Sequence, residues 1–414
     1  MDNITHSIAG LLLAESVVQL REHRGGHPPA ARFRAVAAIS SMIAANFPDV
    51  DLLYTGIGGD RLAYMLQHRG YTHTVVMALG GALLVWGAAC FALRGESTAS
   101  SRRRDRQWLL ALLVVSTMSH VLLDWTNSYG VHAFWPFDNR WQYGDAVFIV
   151  EPWFWIVAIP TLVAATTSRI GRALLVVVMA AGLLAAWRVS LVSLGAATAL
   201  TIGAILSVVA ARALGPRARV ALAVTAWVMV TLTTAAGSAT VRASVLRSVA
   251  DLDPTARVLD VVISPMPSNA VCMNVISVEQ SSTNYRVLTA RASALPSMVD
   301  ASRCGSRDGL GPMQRTPSRV STRKVQWDRE WSAPAAELVA LARESCLALA
   351  ALRFIRVPIW RTNGDSVTIL GDARFGGGSG GGFTDVAVTR GSDHCAFAVP
   401  PWVPPRADLM GFRR

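Results

Sequence analysis

The chain has 414 residues, 52% of them hydrophobic, with a mean hydropathy of +0.37 and a formal net charge of +12. Its apolar residues are gathered into long runs, which excludes one large soluble core and points to an integral membrane protein with several spans. The positive charge lies in short loops between those runs, where it reads as cytoplasmic anchoring, so nucleic acid is excluded as the partner.

The N-terminus, Met1-Asp-Asn-Ile-Thr5-His6-Ser7, reads as a polar cap ahead of an apolar run from Ile8 to Leu20 that Glu15 interrupts. Asp2 and His6 replace a basic leader and no small-residue cleavage site follows, so no cleavable signal peptide is expected. A second short run, Ala35 to Phe47, stops at Pro48 and hands over to Asp49-Val-Asp51. Carboxylates two apart can bind or bridge metals, or sit in a solvated turn, and the ligand role is favoured for Asp51. Next comes His68-Arg-Gly-Tyr-Thr-His73, two imidazoles and a guanidinium at the start of a helix that Thr72 can cap. Histidines five apart do not share a helix face, so the glycine is expected to bend the chain and aim them. Arg69 can neutralise a phosphate oxygen with its planar fork, or serve as a structural partner for Asp49 or Asp51.

Clear spans run from Val75 to Leu93, Gln107 to Asp124 and Ala146 to Ala165. Weaker ones follow at Ala173 to Trp187, Leu191 to Ala211 and Val220 to Ala239, each near the roughly 20 residues needed to cross about 30 Å of hydrocarbon. The second clear span ends on His120-Val-Leu-Leu-Asp124. Residues four apart lie about 40° from one another around a helix, so imidazole and carboxylate share one face. In lipid surroundings both are expensive, and together they form a metal-ligand pair or a buried ion pair. Glu151, at the mouth of the next helix, is a weaker candidate for ligand or base, its bland reading being charge complementarity at a helix N-terminus.

Arginines cluster in four connections, at residues 21–34, 94–106, 169–172 and 212–219, which are expected to be cytoplasmic. Threading the helices alternately then brings His6, Asp49, Asp51, His68, His73, His120 and Asp124 to the opposite, outer side. The same side collects Trp125, Tyr129, Trp135, Trp141, Tyr143, Trp153 and Trp155, expected as interfacial rings. His23, His27, His132 and His394 have no partnering pattern and are left out.

After about Thr240 the composition changes to that of a soluble α+β domain. Short β-rich runs lie at Val258 to Ile263, Val271 to Val278, Tyr285 to Leu288, Ser366 to Leu370, Asp385 to Thr389 and Cys395 to Val399, with a helix expected over Pro334 to Phe354. Arg374-Phe-Gly-Gly-Gly-Ser-Gly-Gly-Gly-Phe383 lacks the Gly-Lys-Ser/Thr ending of a phosphate loop and reads as a flexible hairpin connection. Cys272, Cys304, Cys346 and Cys395 can form disulfides if this domain is outside, with no connectivity implied by their spacing. Cys90 lies in a span and is expected to be inert. The fold class is thus an α-helical polytopic membrane domain with a C-terminal soluble α+β domain. Residues 1–165 would carry the His/Asp site, 166–240 further spans, and 241–414 the extracytoplasmic domain.

Four motifs, Met1-Asp-Asn-Ile-Thr-His6, Pro48-Asp-Val-Asp51, His68-Arg-Gly-Tyr-Thr-His73 and Ser119-His-Val-Leu-Leu-Asp124-Trp-Thr-Asn-Ser-Tyr-Gly130, are followed by Trp135-Pro-Phe137 and Gly144-Asp-Ala-Val-Phe-Ile-Val-Glu-Pro-Trp153. In this order they resemble the YdjM-like family of membrane-bound metal-dependent hydrolases of the bacterial inner membrane. A more distant similarity is to the zinc phospholipases C and single-strand nucleases, helical enzymes with a His-x-x-x-Asp pair on one helix. That likeness implies His6, Asp51, His73, His120 and Asp124 as direct ligands, and His68 is added to the expected metal set. Arg69, Asp49 and Glu151 are the expected catalytic groups. Mixed imidazole and carboxylate ligands suit Zn²⁺, with Mn²⁺ or Fe²⁺ as alternatives where carboxylates predominate. The expected activity is hydrolysis of a phosphoester, lipid or other ester at the bilayer surface. The alternative is a non-enzymatic membrane protein whose His and Asp residues form a structural metal site or ion pairs beneath an outer binding domain.

Overall fold

The computed structural model describes residues 1–25, 28–56, 61–93, 99–305, 317–363, 367–389 and 399–410. Its N-terminal part is a helical bundle: α1 (Asn3–Gly25), α2 (Ala31–Asn46), the short α3 (Leu52–Gly56) and α4 (Arg61–Gln67), α5 (Val75–Ala92) and α6 (Ala99–Trp125). After a long loop come α7 (Pro152–Ala165), α8 (Arg169–Arg188), α9 (Leu194–Ala213) and α10 (Pro216–Leu252). Among the described residues six helical stretches are long and apolar enough to cross a membrane. This is a multi-pass membrane protein.

The expected span from Ala146 becomes helical only at Pro152, where Glu151 caps the N-terminus and the proline takes the first turn. The run from Ile8 is a full 23-residue helix despite Glu15, because that carboxylate accepts from Gln19 at 2.7 Å and faces Arg34. Gly10 lets α1 and α2 touch, since a Cβ there would sit 2.7 Å from the Ser41 carbonyl oxygen. Contacts at the arginine loops join the first to the second and hold the fourth against α7. Arg21 pairs with Asp105 at 2.7 Å, and Thr161 donates to the Arg219 carbonyl at 3.3 Å.

The sixth span does not end near Ala239. It continues to Leu252 because Val241, Val245 and Val249 form an i, i+4 stripe that packs on the C-terminal sheet. That sheet is antiparallel, in the order β1 (Arg257–Met266), β2 (Asn269–Ser281), β3 (Asn284–Ser293), β4 (Val325–Pro334). Alternate residues serve two cores: Val261 and Ile263 face α10, while Val262 of the same strand joins Ile276 and Val287 on the opposite side. β4 was missed in the sequence because of its charges, which cross-strand pairs absorb, Asp328 with Arg291 at 2.8 Å and Glu330 with Arg286 at 3.3 Å.

The single helix expected over Pro334 to Phe354 is two, α11 (Ala335–Glu344) and α12 (Cys346–Leu352), because Ser345 is extended and caps the second. A smaller antiparallel sheet follows, β5 (Pro358–Asn363), β6 (Val367–Asp372) and β7 (Val386–Thr389), and then the short α13 (Ala407–Met410). The glycine run between β6 and β7 is wrapped around a carboxylate: the amides of Gly378, Gly380 and Gly382 all donate to Asp385, at 2.5, 2.7 and 2.9 Å. Cys272 and Cys304 form a disulfide, and Cys346 is disulfide-bonded as well. The strand expected over Cys395 to Val399, Cys395 itself and His394 fall largely or wholly outside the described residues.

The C-terminal domain docks on the end of the bundle opposite the arginine loops. One hydrophobic core joins Leu62, Met65 and Leu66 of α4 and the loop residues Tyr129 and Trp141 with Tyr285, Phe354 and Trp402. Trp402 donates to the Leu66 carbonyl at 2.7 Å and stacks on His132 at 3.7 Å. Arg374 donates to the carbonyls of Ser128 and Tyr129 at 2.7 and 3.2 Å. Arg356, 4% exposed, spans Asp145 of the loop and Asp260 of β1, each at 2.8 Å. Tyr129 and Trp141 are therefore core residues rather than interfacial rings, and Trp155 is buried with its indole N–H on Thr5. Trp125 remains exposed, as an interfacial ring would be.

Candidate metal centre

Four short elements supply the cluster. Pro48 sits in the first turn of a 3₁₀ segment, Phe47–Asp51, that follows α2 and turns Asp49 and Asp51 inward. A second 3₁₀ turn, Tyr71–His73, carries His73. Between α4 and this turn the chain reverses at Arg69, whose φ is +61°, an uncommon conformation for a residue with a side chain. Gly70 follows where a Cβ would lie 2.9 Å from the Gln67 carbonyl oxygen. The bend expected from the glycine is thus made by the Arg69-Gly70 pair. The third element is the end of α6, with His120 and Asp124 on one face, and the fourth is the first turn of α1, with His6.

These residues meet. His73 Nε2 and His120 Nε2 are 3.1 Å apart. Asp49 Oδ1 lies 3.3 and 3.6 Å from those two nitrogens, and Asp124 Oδ2 lies 3.2 and 3.5 Å from them. Ligand atoms of Asp49, His73, His120 and Asp124 all fall within 4.8 Å of one another. His120, His73 and Asp124 are fully buried, while Asp49 is 9% exposed. His6 stacks on His120 with ring centroids 3.7 Å apart and places Nε2 3.2 Å from Asp124 Oδ1, which the Met1 amino group also meets.

The outer nitrogens of the two central imidazoles decide what the cluster can hold. His120 Nδ1 is 2.6 Å from the Ala45 carbonyl oxygen, which can only accept, so this nitrogen carries the proton and Nε2 of the neutral ring offers a lone pair. His73 Nδ1 lies 3.3 Å from Asp51 Oδ2 and 3.1 Å from Thr72 Oγ1, so its Nε2 is likewise turned inward. Two nitrogen lone pairs and two carboxylate oxygens then face one another at hydrogen-bond distance. Acceptors packed in this way repel without a cation between them, and the set matches the imidazole and carboxylate ligands of a divalent metal. The buried cluster can hold a metal ion.

Asp51 sits behind these four side chains. Its Oδ2 accepts from the Arg69 amide and from Thr72 Oγ1, each at 3.0 Å, and its Oδ1 is 3.1 Å from His68 Nδ1. Asp49, Asp51 and His68 form a second group within 4.8 Å, but the oxygens of Asp51 are already engaged by four neighbours. Burial pushes the His68 imidazole pKa down, with Asp51 opposing it. Arg69 is 3% exposed. Its Nε is 3.1 Å from Asp124 Oδ2, its Nη1 donates to Asn127 Oδ1 at 3.0 Å, and its guanidinium lies over the Tyr129 ring.

Glu151 stays apart from the cluster. Its carboxylate is fully buried at the start of α7, accepting from the amides of Trp153 and Ser268 at 3.2 and 3.1 Å. Burial pushes its pKa up to about 7. The bland reading of a helix N-terminal group describes its position. Conversely, Thr72, Asn127 and Tyr129 take part in the site, although Asn127 was given no role and Tyr129 only that of an interfacial ring. Both lie in the Ser119 to Gly130 motif, three and five residues after Asp124, which was the available signal. His132, set aside in the sequence, is held between Trp141 and Trp402.

Residues 1–194 match the family model described as YdjM inner membrane protein, and this span contains every residue of the cluster. The uncharacterized protein YfhP of Bacillus subtilis (strain 168) is 25% identical over 156 residues, which cover 38% of this chain and 43% of that protein. No solved structure matches the chain. Over its first 194 residues the chain is thus similar to the YdjM inner membrane protein family.

Proposed function

We propose that this YdjM-like chain is a membrane-bound metal-dependent hydrolase, acting on a phosphoester or another ester at the outer surface of the bilayer. The observation that carries the reading is the inward convergence of His73 Nε2, His120 Nε2, Asp49 and Asp124, with both Nδ1 atoms engaged from behind. Asp49, His73, His120 and Asp124 would hold the ion, with His6 against Asp124 completing the shell. Asp51 orients His73 and His68. Zn²⁺ suits this set, with Mn²⁺ or Fe²⁺ as alternatives, and supplies Lewis acidity and a water that ionises near pH 7. Asp49 is the member of the tetrad nearest solvent, so its second oxygen is placed to take a proton from the attacking water. The guanidinium of Arg69, held by Asn127 beside Asp124, presents positive charge where a phosphoryl oxygen would develop negative charge.

Two observations support an outer location for the site and the C-terminal domain. The disulfide Cys272–Cys304 belongs to an oxidising compartment, and the arginine loops gather at the opposite end. Burial favours a second reading, a non-enzymatic protein in which the cluster is a structural metal or ion-pair site supporting the outer domain, since three of the four ligands have no exposure. Metal analysis with a phosphodiesterase screen on the purified full chain separates the two. On the hydrolase reading His120→Ala and Asp124→Ala each lose bound metal and hydrolysis together while remaining inserted and folded. Undiminished activity in both variants rules the site out. A metal-loaded wild type that cleaves none of a varied set of phosphoesters establishes the second reading.

A further inference from the structure

A cavity of about 630 Å³ lies at the seam between the bundle and the C-terminal domain and shares no residue with the His/Asp cluster. The loop residues Tyr143, Gly144 and Asp145, Arg242 of α10, Asp260 of β1 and the segment from Val403 to Asp408 line it. Its volume is that of a small-molecule site. The loop rests on the end of α6, for a Cβ on Gly144 would stand 2.5 Å from the carbonyl oxygen of Trp125, whose ring is exposed. Arg242 follows Ala239, where the sixth apolar run ends, by three residues, or about 4.5 Å along the helix. Both markers place the cavity at the level of the lipid headgroups.

The charges in its lining are unevenly matched. Arg140, Arg242, Arg356 and Arg406 meet Asp145, Asp260 and Asp408. Arg356 takes both oxygens of Asp145, at 2.8 and 2.9 Å, and both of Asp260, at 2.8 and 3.1 Å. Arg406 is 7% exposed, yet it reaches Asp260 and Asp408 only at 3.5 and 3.7 Å, longer than the roughly 2.8 Å of a charge-assisted hydrogen bond. Its Nε donates to the Pro405 carbonyl at 2.9 Å, and its Nη1 has no hydrogen-bond partner among the described residues. Tyr143 Oη and Asp408 Oδ1 are buried without one as well. Arg242 gives one nitrogen to Asp145 at 2.8 Å and keeps its side chain 39% exposed at the rim. Buried donors left without acceptors are costly, and an oxyanion in the cavity would supply acceptors.

We infer that the cavity binds a phosphate ester of a small polar alcohol, held where the C-terminal segment closes on the bundle. Arg406 is the buried anchor, its free Nη1 donating to a phosphate oxygen in the planar geometry that suits guanidinium groups. The Tyr143 hydroxyl is a second donor, and Arg242 draws the anion in at the rim. Asp408 Oδ1 suits a hydroxyl or ammonium donor on the alcohol portion. A phospholipid headgroup and a soluble phosphate ester offer this same chemistry. The site stands apart from the hydrolase reading, since no cluster residue lines it.

The test uses the delipidated full chain in detergent at constant ionic strength. Glycerol 3-phosphate is titrated by calorimetry, and phosphatidylglycerol and diacylglycerol are offered separately and read by native mass spectrometry. One glycerol 3-phosphate bound per chain assigns a soluble ester. One phosphatidylglycerol retained per chain, without glycerol 3-phosphate binding, assigns the lipid headgroup. In either case Arg406→Gln and Arg242→Gln should each weaken binding about tenfold or more. Tyr143→Phe removes only an unpartnered hydroxyl, so it should weaken binding about tenfold with the melting temperature unchanged, and it carries the test if Arg406→Gln does not fold. Arg188→Gln, which removes an exposed arginine at the end of α8, should leave affinity unaltered. The assignment is overturned if neither phosphate probe binds, if diacylglycerol is retained as well as phosphatidylglycerol, or if Arg188→Gln loses as much affinity as Arg242→Gln. Wild-type affinity in both Arg242→Gln and Tyr143→Phe overturns it too.

Discussion

Replacing Asp51 by Asn separates a residue that orients a ligand from one that is a ligand. The carboxylate receives the Arg69 amide and the Thr72 hydroxyl at 3.0 Å on one oxygen, with His73 Nδ1 at 3.3 Å, and His68 Nδ1 at 3.1 Å on the other. Asparagine keeps the shape but turns one acceptor into a donor and removes the negative charge that faces His73 Nδ1. Loss of such a supporting partner weakens metal affinity about 10- to 100-fold, or about 1.4 to 2.8 kcal/mol. Chelator competition on the detergent-purified full chain measures this directly, with His120→Ala as the variant expected to retain no metal at the same chelator concentration. If Asp51→Asn empties as completely as His120→Ala, Asp51 is itself a ligand. If its affinity equals that of wild type, the coupling through His73 is absent. Either result refutes the assignment.

Arg69→Lys should keep bound metal but slow phosphoester turnover, because an ammonium carries the charge without the fork that bonds Asn127 while facing Asp124; a metal content that falls with activity would contradict this. The pKa of Glu151 rises from 4.5 to about 7 on folding. Its contribution to stability is therefore fully present below about pH 4.5 and lost as pH rises through about 7, amounting to about 3 kcal/mol in all. Glu151→Gln should flatten the fall in thermal stability between pH 5 and pH 8, and an unchanged slope in a detergent melting series would show that this carboxyl does not carry it. Reporter fusions after Arg104 and after Arg257 should report opposite compartments, since one follows an arginine loop and the other opens the docked domain. Two reporters in the same compartment would break the alternating arrangement.

Hydropathy made most of the spans legible, because six helical stretches are long and apolar enough to cross a bilayer, whereas α7 has only 14 residues. The convergence of the cluster was legible too, since the loop charges alone set His6, Asp51, His73 and His120 on one side. The difference in surroundings between Asp49 and Asp51 was not. It depends on a 3₁₀ turn and on a left-handed Arg69, neither of which leaves a periodic trace. The start of α7 was read six residues early because Ala146 to Val150 is apolar without being helical, its chain being held by bonds to the Thr126 carbonyl. Tyr129 and Trp141 were assigned to a lipid interface by residue type, whereas their neighbours Phe354 and Trp402 come from far along the chain. No local pattern announces such contacts.

The docking of Trp402 on Leu66 has a consequence for how the molecule is made. The two residues are 336 positions apart, and at about 5 to 20 residues per second the later one is synthesised on the order of tens of seconds after the earlier. Throughout that interval the bundle can be inserted and its His/Asp turns formed, while Met65, Leu66 and Tyr129 have no apolar cover. On the outer-location reading, the whole region beyond α10 must be moved across the bilayer to the same face before the hydrophobic lid can close. The residues of the His/Asp cluster all precede that region in the chain, so on the metal-site reading an ion can reach them while the lid is still being translated, and the completed domain then closes over that end of the bundle.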